Sequence, residues 1–349
     1  MSDPLLRDTA ERLFAAQCTA EVLRSADQGK FPRALWDAIE RAGYAESLVP
    51  EESGGPGLAI ADALSILVCA GRHAAPVPLA ETMLAAKLLA AAGLERPAGP
   101  LTIAPVRAGD EVNARRDGAR WRLDGAARRV PWASAAAAIV VVAQDDGRSV
   151  VACVRPADAR ATGGANVAGE PREDVAFGAV TAEGVEAPID ASQVFALGAV
   201  MRSAQMAGAL QRVLEESVRY ASERVQFGRP IGRFQAVQQS LALLAGHAAA
   251  ATAAAEAAME VVARDPASPA IAAAKIRAGE AASVGAAIAH QVHGAIGFTQ
   301  EHVLHHFTRR LWSWRDEFGS EARWSVMLGG AIAAGGADRL WQTLTEAGA

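Results

Sequence analysis

Two short segments hold most of the chemistry that can be read from this chain of 349 residues. The first runs from Tyr220 to Gln238. Arg224, Arg229 and Arg233 cluster around a corner where Gly228 permits a positive φ and Pro230 stops helical continuation. The spacing predicts one helix ending near Phe227 and another beginning near Phe234. Arginine forks suit bidentate contacts to phosphate, so the corner reads either as an anion site or as a solvated helix corner. The second segment runs from His290 to Glu301, with a helix predicted to stop at Gly294, a turn through Gly297 and a new helix from Thr299. A turn without side chains lets another group approach the backbone closely, although most such turns only connect helices. His290, His293, His302, His305 and His306 fall in or just after this stretch. Three of them share a helical face, but no cysteine or acidic pair completes a ligand set, so packing is expected and no metal.

The rest of the chain must position these segments. Hydrophobic residues make up 51% and charged residues 21%, which excludes a disordered chain. Aromatics are 5%, and alanine, the best helix former, dominates the apolar content. A net charge of −5 gives no electrostatic reason to bind nucleic acid or an anionic membrane. Cys18, Cys69 and Cys153 are dispersed and odd in number, which argues against a disulfide framework or a cysteine zinc site. Met1-Ser2-Asp3-Pro4 lacks a basic region followed by an apolar core. No apolar run is read as long enough for a bilayer, which takes about 20 residues, so a cytoplasmic protein is expected.

Helical periodicity covers residues 1–97, broken by a Pro50–Gly57 loop and again at Pro76 and Pro78. Residues 98–190 read as a small β domain. Trp121–Gly125 alternates and ends in a turn signal, Ala138–Ala143 and Ser149–Val154 flank Asp145-Asp146-Gly147 as a hairpin, and two short strands follow at Val175–Phe177 and Ala179–Val180. Residues 191–349 return to long helical patterns, predicting a C-terminal bundle.

Together the two segments resemble the acyl-CoA dehydrogenase family. The family's Arg-x-x-Phe-Gly-x-x-Ile-x-x-Phe-Gln-x-x-Gln pattern matches Arg224, Phe227, Gly228, Ile231, Phe234, Gln235 and Gln238. Its Gln-x-x-Gly-Gly-x-Gly turn matches Gln291, Gly294 and Gly297, with Ala295 in the second glycine's place. The helical–β–helical order and the Val49–Gly55 loop fit as well. The resemblance implies a mainly α fold with a small middle β-barrel-like domain and a C-terminal four-helix bundle. It implies FAD between the β domain and the bundle, with an acyl-CoA thioester beside the flavin. Arg224 is then the pyrophosphate contact, and Phe227, Gln235, Gln291, Gly294 and Ala295 hold the cofactor, partly across a subunit interface. It also implies an electron-transferring flavoprotein as reoxidant and a homo-oligomer, dimer or tetramer. An acceptor change to oxygen would make an oxidase of the same fold.

The family's chemistry needs a carboxylate to take the α-proton while the β-hydride passes to flavin. The corresponding region here is Trp312–Glu321, where Glu317 fits best and Asp316 and Glu321 compete. The plain alternative is that all three are helix-end partners of Arg315 and Arg323. A second family position for the base falls on Gly198, with Arg202 the nearest charge. In the β domain, Trp132 and Ser134 stand nearest the family's flavin-facing Trp-Ile-Thr/Ser stretch. Trp312, Trp314 and Trp324 line either an acyl pocket or the core. The short β domain and the unfixed base register also fit a catalytically silent subunit that completes a partner's flavin site in a heterotetramer.

Overall fold

A computed structural model of the chain describes residues 3–342, so Met1 and Ser2 of the N-terminal tetrapeptide lie outside the described residues. Five helices come first: α1 (Pro4–Gln17), α2 (Ala20–Asp27), α3 (Arg33–Arg41), α4 (Ile60–Arg72) and α5 (Leu79–Ala91). Strands β1 (Leu101–Ala104), β2 (Val112–Asp117), β3 (Arg120–Pro131), β4 (Ala138–Asp145), β5 (Arg148–Val154), β6 (Arg160–Thr162) and β7 (Arg172–Glu186) follow. The remainder is helical: α6 (Ala191–Glu223), α7 (Gln235–Val261), α8 (Pro269–His293), α9 (Leu304–Trp314) and α10 (Glu321–Gly335), with a small β8 (Val225–Gln226) and β9 (Arg229–Pro230) ladder after α6. This is the acyl-CoA dehydrogenase-like fold the sequence predicts: N-terminal helices, a middle β region and C-terminal helices.

Contacts divide the chain into two compact units that do not follow chain order. One contains residues 21–63 and 76–198. Its strands close on themselves, because β4 pairs with β5 as well as with β2, completing the circuit β4-β2-β3-β7-β5. Trp121, Leu123, Val141, Val150, Val175 and Phe177 fill the interior. The hairpin expected around Asp145–Gly147 is β4–β5, with Val142 opposite Val151. The turn expected at Asp124-Gly125 is instead the middle of β3. Gly125 takes φ +139 there beside the Glu111 carbonyl, and the β3–β7 register slips between Leu123 and Asp124. Glycine here marks a bulge, which bends a strand without ending it. The two short strands expected after Val175 are likewise one continuous β7.

The other unit contains residues 1–20, 64–75 and 199–349. Small residues set its helix spacing. A Cβ on Gly208 of α6 would lie 1.9 Å from the Val68 carbonyl of α4, and one on Gly71 would lie 2.0 Å from the Gln205 carbonyl, so these two glycines let the backbones touch. Helix α7 buries Leu244, Ala248, Ala251, Ala255 and Ala258, a three- and four-residue repeat that packs along α8. Among the described residues α7 is the one helix that is long and apolar enough, by length and composition, to cross a bilayer. The sequence predicts none, because Thr252 and Glu256 interrupt the alanine run of 248–258.

Candidate functional site

At the corner, α6 ends at Glu223, four residues before the predicted stop. The chain then folds into the β8–β9 ladder, with Phe227 and Gly228 at its tip on φ +50 and +79. Positive φ at both central residues is the signature of a tight hairpin turn, and it is costly for phenylalanine. Phe227 is nonetheless 92% exposed, its ring standing edge-on to Phe234 at 6.1 Å. Arg224 and Arg233 are exposed and have no ion pair among the described residues, while Arg229 lies 4.3 Å over the Phe234 ring. Gln235 opens α7 facing solvent, and Gln238 donates to the Gly232 carbonyl at 3.0 Å.

Helix α8 stops at Gly294, as predicted, on φ +61. The next helix begins at Leu304, later than Thr299, because Gly294–Phe298 tighten into a 3₁₀ turn. Gln291, Gly294 and Ala295 are exposed, and nothing lies within 4 Å of a Cβ built on Gly294. Gly297 is different: a side chain there would meet His293 Cβ at 2.9 Å. The histidines pack among rings, His290 stacking on Phe298 at 4.3 Å and on Trp312 at 5.6 Å, and His293 on Tyr220 at 4.6 Å. Burial pushes His290, His293 and His302 below the ordinary imidazole range.

The carboxylates differ sharply from one another. Asp316 points to solvent, its side chain 70% exposed. Glu321 pairs with Arg315 at 3.2 Å and lines a shallow cleft with His247 and Glu280. Glu317 turns inward, and its Oε2 accepts from Arg202 Nε at 2.7 Å. Arg202 is 2% exposed, donates also to Gln205 Oε1 at 2.5 Å, and lies 5.8 Å over the Trp314 ring. Arg202 was met in the sequence only as the charge nearest the vacant Gly198 position. The residue it reaches lies 115 positions away, which spacing within α6 does not reveal. Trp324, a candidate pocket residue, is buried and donates from its indole N–H to the Phe318 carbonyl at 2.9 Å.

In the β region, Trp132 is largely buried on φ +54, edge-on to Phe31 at 6.1 Å. Ser134 is exposed, and its backbone N–H donates to Glu173 at 2.9 Å. The residues of the C-terminal segments fit an anionic dinucleotide: unpaired guanidinium groups on one turn, and a bare, open glycine backbone on another.

Comparison with known proteins agrees with this geometry. Residues 3–96 match the acyl-CoA dehydrogenase N-terminal domain and residues 189–321 the C-terminal domain. The acyl-CoA dehydrogenase IpdE2 of Mycobacterium tuberculosis is 31% identical over 311 residues, 88% of this chain and 89% of that protein. The ChsE4-ChsE5 complex from M. tuberculosis superposes with a TM-score of 0.86 at 28% identity, covering 94% of this chain and 96% of that one. A Tcur3481-Tcur3483 steroid ACAD variant also gives 0.86, at 26% identity over 95% and 97% of the two chains. The chain belongs to the acyl-CoA dehydrogenase family, whose members are flavoprotein oxidoreductases of lipid catabolism.

Proposed function

We propose that the chain is an FAD-dependent dehydrogenase that introduces an α,β double bond into an acyl-CoA thioester, with Glu317 as the base. The observation that carries this reading is the inward carboxylate of Glu317, gripped by the buried Arg202. A carboxylate held in one orientation is ready to accept a proton without first reorganising. Bound FAD supplies the acceptor for the β-hydride. Arg224 pairs with its pyrophosphate, and Gln291, Gly294 and Ala295 present open backbone and amide groups to its nucleotide portion. Phe227 and Gln235 cover the same portion. An electron-transferring flavoprotein would be the partner that takes up the electrons. Similarity to a protein described as a steroid ACAD supports a bulky, lipid-derived acyl group.

A second reading is favoured by the exposure of the Phe227–Arg224 corner and by neighbours whose descriptions name two components. Here the chain works in a heteromer with a related subunit that covers this corner. The test of the main reading is anaerobic flavin bleaching by acyl-CoA thioesters from butyryl-CoA to a steroid side-chain CoA. Glu317→Gln is expected to slow bleaching by about a thousandfold, the scale of a general base, at unchanged flavin content. Bleaching of that variant at the wild-type rate would remove Glu317 from the role.

A further inference from the structure

Lys275 lies in the second turn of α8 and is fully buried. Burying an ammonium is costly unless it is well hydrogen-bonded, yet the partners of this one are not carboxylates. Its Nζ donates to three main-chain carbonyls: Arg315 at 2.6 Å, Gly319 at 2.8 Å and Trp314 at 3.3 Å. These carbonyls bracket the loop that carries Glu317.

The local backbone explains why the loop needs such a partner. Helix α9 ends at Trp314, and the last carbonyls of a helix lack intrahelical donors. Phe318 and Gly319 then take φ +52 and +94 in succession, reversing the chain so that their carbonyls leave the helical direction. The Phe318 carbonyl is taken by the indole of Trp324, and those of Trp314, Arg315 and Gly319 converge on Lys275. A space for substitution is also absent: a Cβ on Gly319 would meet the Trp324 indole nitrogen at 2.7 Å.

We propose that Lys275 is a positioning residue for the reaction: through three main-chain carbonyls it fixes the 314–319 loop, and so the place of the Glu317 carboxylate. The link to catalysis rests on Glu317 being the base. Arg202 sets the direction of the carboxylate, and Lys275 sets the backbone from which it projects. A base displaced by about an ångström loses on the order of a hundredfold in rate. Burial pulls the Lys275 pKa down to about 8 against the opposing pull of Glu317, Glu321 and Asp316, so the amine stays protonated and a full donor at neutral pH.

The test is hydrogen exchange of the resting protein together with flavin reduction by the same CoA thioesters. In the wild type, the amides of residues 315–319 should exchange far more slowly than those of the exposed 226–229 turn, though both are loops. In Lys275→Met the 315–319 amides should exchange about a hundredfold faster while α7 is unchanged. The limiting rate of flavin reduction should fall about a hundredfold with KM within about threefold. Glu317→Gln should slow reduction about a thousandfold and leave 315–319 exchange well below that of Lys275→Met, since the three carbonyl contacts of Lys275 remain. An active Glu317→Gln with a loosened Lys275→Met loop would refute the base but keep the lysine's hold. Wild-type exchange in the Lys275→Met loop, or equal acceleration throughout α6–α10, would overturn the proposal. If Lys275→Met does not fold, the wild-type comparison decides: 315–319 exchanging as fast as 226–229 is the contrary result.

Discussion

The loop around Glu317 and the corner around Arg224 belong to the same compact unit, yet they are built in opposite ways. At the loop, Asp316 aside, the groups that turn inward find partners: Glu317 meets Arg202, Lys275 gathers three carbonyls, and Trp324 takes a fourth. At the corner the guanidinium groups of Arg224 and Arg233 meet solvent and Phe227 is almost wholly exposed, as Gly294 is on the separate turn after α8. Aromatic rings and arginines are the residues that gain most when an interface covers them. The contrast is between a loop whose inward groups find their partners within this chain and a corner whose groups are left to solvent.

Arg202→Leu breaks the comparison most severely. It leaves the Glu317 carboxylate facing an apolar side chain, and breaking a buried pair costs about 3 kcal/mol or more. Thermal denaturation should show the loss, and stopped-flow reduction should slow in parallel. Arg224→Ala sharpens the comparison from the other side. Folding stability should stay within about 0.5 kcal/mol, as for most surface changes. FAD affinity, measured by fluorescence quenching, should weaken by about tenfold to a hundredfold as one charged contact is lost, and the effect should shrink with added salt.

The buried lysine also makes stability depend on pH. Its folded pKa of about 8 lies below the 10.5 of an unburied lysine. Between those values the unfolded chain binds more protons, so the lysine's contribution to stability rises with pH across that window. Cys18 and Cys69, pushed up to about 12 by burial, act in the opposite direction as pH rises above their usual value. The readout is therefore the stability difference between wild type and Lys275→Met, which should increase from pH 8 towards 10. A flat difference would mean the lysine is not desolvated.

The smallest effect is expected at the turn. Phe227→Asn relieves a positive φ that asparagine tolerates, so the isolated chain should gain about 0.5–1 kcal/mol. The same substitution should weaken flavin retention or subunit association. Gain in stability with unchanged flavin retention would show that the phenylalanine serves neither.

The parts of this molecule legible in the sequence are those with local causes. Gly294 stops α8 because it alone takes that φ readily, and a β-branched run closed by Asp145-Asp146-Gly147 marks β4–β5. The Asp124-Gly125 turn was misplaced because a bulge and a turn use the same residues, and pairing with β2 and β7 decided between them. Arg224 and Phe227 were found through a motif, whereas Arg202 and Lys275 were not singled out. Their partners lie 115 and 39 to 44 positions away, so only folding brings them to Glu317. The contrast between an inward and an outward carboxylate at adjacent positions 317 and 316 is also tertiary, since both flank the end of one helix.

The most direct test of the account is an anaerobic titration of the chain purified alone, with FAD added, across a range of protein concentrations. The account predicts that bound flavin per chain rises with concentration, or with an added related subunit, as the exposed corner becomes covered. It also predicts that whatever flavin is bound bleaches with an acyl-CoA thioester. A chain that stays colourless under all these conditions, or one that binds flavin and never bleaches it, would contradict it.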